Sequence, residues 1–228
     1  MSQETKLTRK DLKKPDQFLE TSNEFLIFID RYKVILLSVV VVLFLAWGGY
    51  LFLSNQQKAE DLAMESLYFQ MLQKVKESKD SSGDELISQL NSLFQQFKEG
   101  DQKLRAGLLL ADTQYLNQRY DDALTSFTKV QDHARPGTLH SFLAQSGAAH
   151  SYEAQKDFEQ AIAQYKKIID QLGEFPLFYT YLGLSRCYKL SNDPKNAKLI
   201  LREMQNKFPD HAGLDQVNLS LNRLEGPA

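Results

Sequence analysis

The chain has 228 residues, 43% of them hydrophobic and 25% charged, which suits one medium-sized folded domain with appendages. A net charge of −2 leaves no global basic field to draw nucleic acid. A single cysteine, Cys187, excludes an intrachain disulfide, and with four scattered histidines it offers no structural zinc set.

Residues 1–33 are polar and mixed in charge, with Pro15 and no sustained periodicity. They read as a short N-terminal segment without a core of its own, although "DQFLETSNEFLIFIDRYK" is compatible with a short lead-in helix. The next stretch is unlike the rest of the chain. "VILLSVVVVLFLAWGGYLFL", residues 34–53, is uncharged throughout, and as a helix it reaches about 30 Å, the thickness of a bilayer's hydrocarbon core. Tyr32, Trp47 and Tyr50 lie toward its ends, where amphipathic rings favour the interface. A cleaved signal peptide has a shorter apolar region, of about 7–15 residues, and starts nearer the N-terminus. We therefore expect an uncleaved signal anchor that holds the chain in the lipid bilayer through residues 34–53.

Lysine and arginine set its orientation. Lys6, Arg9, Lys10, Lys13, Lys14, Arg31 and Lys33 precede the run, whereas Lys58 is the first cation after it. The expectation is a cytoplasmic N-terminus in a single-pass protein. Residues 54–228 then lie across the membrane, which in a bacterium is the inner membrane facing the periplasm.

Beyond the span, residues 56–78 read as a helix continuous with it. "SSGD" at 81–84 reads as a turn. "ELISQLNSLFQQF" then puts Leu86, Leu90, Leu93, Phe94 and Phe97 on one face, which makes a degenerate helical hairpin.

A repeat follows. "NQRYDDALTSF" at 117–127 returns as "AQKDFEQAIAQY" at 154–165 and, more faintly, as "SNDPKNAKLIL" at 191–201. Aligning Ala123, Ala161 and Ala197 gives spacings of 38 and 36 residues. Three positions before these alanines stand Tyr120, Phe158 and Pro194; four after stand Phe127, Tyr165 and Leu201; twelve before stand Ala111, Ala149 and Ser185; nine before stand Gln114, Tyr152 and Tyr188. Each unit is a first helix, a tight polar turn and a second helix. The small residues let antiparallel helices approach closely, and the aromatic ones fill the space beside them. Tyr120, Ala123, Leu124, Phe127 and Val130 form an i, i+3, i+4, i+7 stripe. Asp121, Asp122 and Glu159 complement the helix dipole in the first turn, and Pro136, Pro176 and Pro209 mark the exits. A hairpin cannot bury its apolar face alone, so neighbours stack into a solenoid. "LDQVNLSLNRL" at 214–224 reads as the closing helix.

These residues, with Tyr181, Gly183 and Leu184 in the third unit, resemble the tetratricopeptide repeat, whose period is about 34 residues. The expected fold class is all-α: one N-terminal transmembrane helix followed by a tetratricopeptide-repeat-like α-solenoid occupying 54–228, with repeats near 101–136, 139–174 and 177–210. The longer spacings imply short insertions at "ARPGTLH" and "LGEFP". Pro194 and Gln114 stand where the family pattern has aromatic residues. The resemblance implies an inner groove lined by the first helices. From the first repeat come Arg105, Leu108, Asp112 and Tyr115; from the second, Leu143, Ser146 and His150; from the third, Tyr179, Leu182, Arg186 and Lys189. Repeats that clamp the C-terminal carboxylates of heat-shock chaperones use Lys and Asn where this chain has Leu108 and Asp112, so that clamp is not expected.

Catalytic chemistry finds little support. Cys187 falls among packing positions and suits a small buried residue. His133, His140 and His150 lack metal-ligand spacing. No phosphate-binding glycine motif occurs. We expect no enzyme activity, no cofactor and no metal.

The layout as a whole resembles the YfgM family over most of residues 25–205, including "WGGYLF" at the end of the span and "AEDLA" after it. That resemblance implies an ancillary subunit of the Sec translocon. It would work beside a membrane-anchored periplasmic prolyl isomerase, bind secreted polypeptides and pass them to periplasmic chaperones. The alternative is a scaffold dedicated to one envelope-assembly or secretion-system complex.

Overall fold

The computed structural model of the protein describes residues 17–78, 82–171 and 175–226. The expected character of residues 1–16 lies outside the described residues. The chain divides into two compact units, Met1–Glu60 and Asp61–Ala228. Helix α1 is Gln17–Glu77, so the lead-in and the apolar run are one uninterrupted helix, not a short helix followed by a span. Within the first unit this helix is long and apolar enough to cross a membrane. Among the described residues from Val34 to Leu53 the large side chains are exposed, Val34 at 74% and Leu45 at 71%. A soluble core helix would be covered.

The second unit begins with the last turns of α1. After them come α2 (Gly83–Phe94), α3 (Asp101–Leu116), α4 (Tyr120–His133), α5 (Leu139–Ala154), α6 (Phe158–Gln171), α7 (Phe178–Leu190), α8 (Pro194–Lys207) and α9 (Leu214–Glu225). The described residues form no strand. From α2 onward each helix contacts its neighbours in the chain, and α3, α5 and α7 also touch in succession. This is the pattern of stacked hairpins in which the first helices form one layer.

Local signals explain the boundaries. Ser82 accepts from the Glu85 N–H at 3.3 Å, with Asp84 and Glu85 in the first turn of α2. The segment expected as a turn is thus partly a capped helix start. Thr138 caps α5 through the Ser141 N–H. Asp193 caps α8 through the Asn196 N–H at 3.1 Å, and Pro194 occupies the first helical turn, where its missing N–H leaves nothing unsatisfied.

The three hairpin turns share one device. Gln118, Lys156 and Asn192 adopt φ of 62°, 64° and 63°. The next residue's N–H reaches back five positions: Arg119 to the Gln114 carbonyl at 2.9 Å, Asp157 to Tyr152 at 3.0 Å, Asp193 to Tyr188 at 2.8 Å. This left-handed Schellman closure reverses the chain and satisfies the last carbonyls of α3, α5 and α7.

Ala111, Ala123, Ala149, Ala161 and Ala197 are fully buried and let the helices touch. Phe127, Tyr165 and Tyr188 are buried beside them, and Tyr120, Tyr152 and Phe158 are partly covered. The N-terminal hairpin packs Met71 of α1 on Leu86 and Leu90 of α2 and on Ala106 and Leu110 of α3. Phe97 follows the end of α2 yet remains buried in that cluster. At the other end, Val217 and Leu221 of α9 cover the third repeat; each such side chain contributes about 1.5–3 kcal/mol through burial.

Candidate protein-interaction groove

The first helices α3, α5 and α7 present equivalent positions at the repeat spacings of 38 and 36. Arg105, Leu143 and Tyr179 are one set; Leu108, Ser146 and Leu182 the next; then Asp112, His150 and Arg186; and last Tyr115, Glu153 and Lys189. These side chains differ in what they offer a partner. Leu143 and Tyr179 are exposed, Tyr179 at 67%. Leu108 and Leu182 are buried among the packing residues. Ser146 is half-buried, while Asp112, His150 and Lys189 are exposed.

Neither candidate arginine is a free cation. Arg105 reaches Glu65 on α1 at 3.2 Å, accompanied by the Gln102 amide oxygen at 2.9 Å, and its guanidinium lies 4.3 Å from the centre of the Tyr68 ring. Arg186 grips Glu153 through Nε and, at 2.7 Å, through Nη2. The Tyr165 hydroxyl donates to the same carboxylate at 3.0 Å. One carboxylate therefore ties α5, α6 and α7 together. Burial works to raise its pKa, but the Arg186 hydrogen bonds and charge, with the tyrosine, outweigh that and hold it below the usual glutamate range.

His150 lies against Tyr165, ring centres 5.8 Å apart, and desolvation lowers its pKa. The same environment raises the Tyr115 phenol, mainly by burial and then by Tyr120 and Glu153; the Tyr115 and Tyr120 rings meet edge-on at 5.4 Å. Among the described residues the Asp112 side chain makes no hydrogen bond or ion pair, yet the surrounding protein removes enough water to raise its carboxyl above the usual range.

Three contributors escape a sequence-only listing. Glu153 occupies the same register as Tyr115 and Lys189, so the repeat arithmetic contains it. Leu116 and Leu190 also correspond across repeats and are 79% and 52% exposed. Leu116 follows Asp112 by one turn, on the same face of α3.

Cys187 is fully buried, and burial pushes its thiol up to about 12, so it stays protonated. Among the described residues no group of three His, Cys, Asp or Glu side chains gathers as metal ligands.

Comparison with known proteins agrees with this geometry. The tetratricopeptide repeat-like domain family matches residues 27–172, and the tetratricopeptide repeat family matches residues 179–211. No curated protein matches the chain. Among solved structures, a Podosopora anserina kinesin light chain with nearly identical TPR-like repeats superposes with a TM-score of 0.59 at 15% identity. The match covers 71% of this chain and 86% of that one. A point variant of the same protein gives 0.59 at 16% identity, covering 71% and 85%. At such identity the likeness concerns the fold alone.

Proposed function

Since the chain belongs to the tetratricopeptide repeat-like domain family, a fold that serves as a protein-interaction scaffold, we propose that it is a membrane-anchored binding protein for secreted polypeptides. Its apolar helix holds it in the bacterial inner membrane with the N-terminus in the cytoplasm. The repeats then lie in the periplasm beside the Sec translocon and a membrane-anchored prolyl isomerase. There they bind emerging chains and hand them to periplasmic chaperones. The mechanism is binding, without bond chemistry.

The observation that supports this reading is the combination, in one chain, of an exposed apolar helix with exposed Leu116, Leu143 and Tyr179 on the first helices of the repeats. An unfolded client offers apolar side chains and an unpaired backbone, and exposed leucine and tyrosine positions on a rigid curved frame suit such segments. Anchoring raises the local concentration of the groove near a channel exit without any new contact. The early cluster of lysines and arginines supports the orientation.

In-cell photo-crosslinking from positions 116, 143 and 179, with mass spectrometry of the adducts, tests it. Translocon subunits, the isomerase and a range of secreted chains are the expected adducts. Capture of one unrelated envelope protein alone would replace this reading with a scaffold dedicated to that complex.

A further inference from the structure

The inner face has an uneven charge, which bears on the kind of segment it takes; this inference rests on the groove reading above. Arg105 is neutralised by Glu65 and Arg186 by Glu153. His150 is disposed to be neutral, because desolvation opposes its protonation. Asp112 is the exception on the first repeat: an accessible carboxylate that, among the described residues, receives no hydrogen bond and pairs with no cation. One turn along the same helix face stands Leu116, 79% exposed, and Leu143 is exposed on the next first helix. A partly desolvated carboxylate left without a counter-charge is electrostatically incomplete. A partner ammonium or guanidinium placed there gains more than it would at a fully hydrated surface, while a partner carboxylate is repelled.

We infer that the first repeat selects segments in which leucine-like side chains alternate with lysine or arginine, the base meeting Asp112 and the apolar groups meeting Leu116 and Leu143. The polarity is opposite to that of a groove built to hold acidic tails. Its consequence for secreted clients is a preference for apolar segments with basic residues over equally apolar acidic ones.

The test uses the full-length protein in nanodiscs of zwitterionic lipid and fluorescence anisotropy with three short labelled peptides. One carries leucines and lysines, the second leucines and glutamates, and the third lysines with serines in place of leucines. The leucine–lysine peptide is expected to bind about fivefold tighter than the leucine–glutamate peptide at low salt. Asp112→Asn removes that preference and Asp112→Glu retains it. Leu116→Ser weakens both leucine peptides. Equal affinity for the lysine and glutamate peptides, or a preference unchanged in Asp112→Asn, overturns the inference while leaving the groove intact. If none of the peptides binds, the groove reading itself fails.

Discussion

Glu153 on α5 and Arg186 on α7 form a two-pronged ion pair that joins the first helices of consecutive repeats, with Tyr165 of the intervening α6 donating to the same carboxylate. The glutamate side chain is 13% exposed and the arginine 48%, so solvent screens the arginine side of the pair. Glu153→Gln keeps the shape but loses the charge. It is expected to lower unfolding free energy by about 1–2 kcal/mol. A double-mutant cycle with Arg186→Met, followed by denaturant titration, should give a coupling of about 1 kcal/mol. Additive effects of the two substitutions would mean that the pair contributes nothing beyond its separate contacts.

Acid should weaken this part of the solenoid in two stages. His150 has a folded pKa below its ordinary value, mainly through desolvation. Its contribution is therefore present above the unfolded value of 6.5 and lost as pH falls through the lower folded value. Glu153 is also depressed, below 4.5, because Arg186 and Tyr165 outweigh burial. Its stabilisation is present above 4.5 and lost as pH falls through its folded pKa. Melting temperature followed from neutral pH into acid should decline first with the histidine and then with the glutamate. His150→Gln flattens the earlier part of the decline, and Glu153→Gln flattens the later part. An unaltered profile in both variants would place the acid sensitivity elsewhere.

The hairpin turns hold non-glycine residues in left-handed backbone. Gln118 and Lys156 carry side chains that gain nothing from φ near 60°, whereas asparagine, as at Asn192, tolerates it better. Gln118→Gly and Lys156→Gly are each expected to stabilise by about 0.5–1 kcal/mol. Asn192→Gly should give less. Equilibrium urea unfolding of the three variants is sufficient, and a loss of stability in the first two would show that side-chain contacts at the turn outweigh backbone strain.

The repeat itself was legible because alanine and aromatic positions recur at fixed separations, and burial enforces that recurrence: Ala123, Ala161 and Ala197 sit where any larger side chain would push helices apart. The helix starts at Ser82 and Asp193 depend on side-chain caps a few residues away, so they are local information as well. What stayed hidden depends on neighbours distant in sequence. Arg186 looks like an open cation until α5 brings Glu153 to it, and Arg105 likewise until α1 brings Glu65 and Tyr68. Leu116 and Leu190 are indistinguishable by residue type from the buried Leu108 and Leu182. Only the stacking of the helices separates the exposed leucines from the buried ones.

Contact between repeats rests on a ring seated over a glycine. Gly147 of α5 and Gly183 of α7 are 36 residues apart, the spacing of the second and third repeats, and each receives the aromatic side chain four residues after the preceding repeat's alanine. A Cβ at Gly183 would stand 2.6 Å from Cζ of Tyr165, and one at Gly147 would overlap the Phe127 ring. Both rings are buried, so they cannot swing into solvent to make room. Alanine is ordinarily the better helix residue by about 1 kcal/mol, yet here overpacking is expected to outweigh propensity. Gly147→Ala and Gly183→Ala should each destabilise by about 1–3 kcal/mol. Pairing Gly147→Ala with Phe127→Leu should recover part of the loss, because the smaller side chain vacates the space the new methyl needs. Thermal melts of the single and paired variants decide the matter. A stabilising Gly147→Ala would mean that the helices separate at little cost and that the ring-on-glycine contact does not hold the repeats in register.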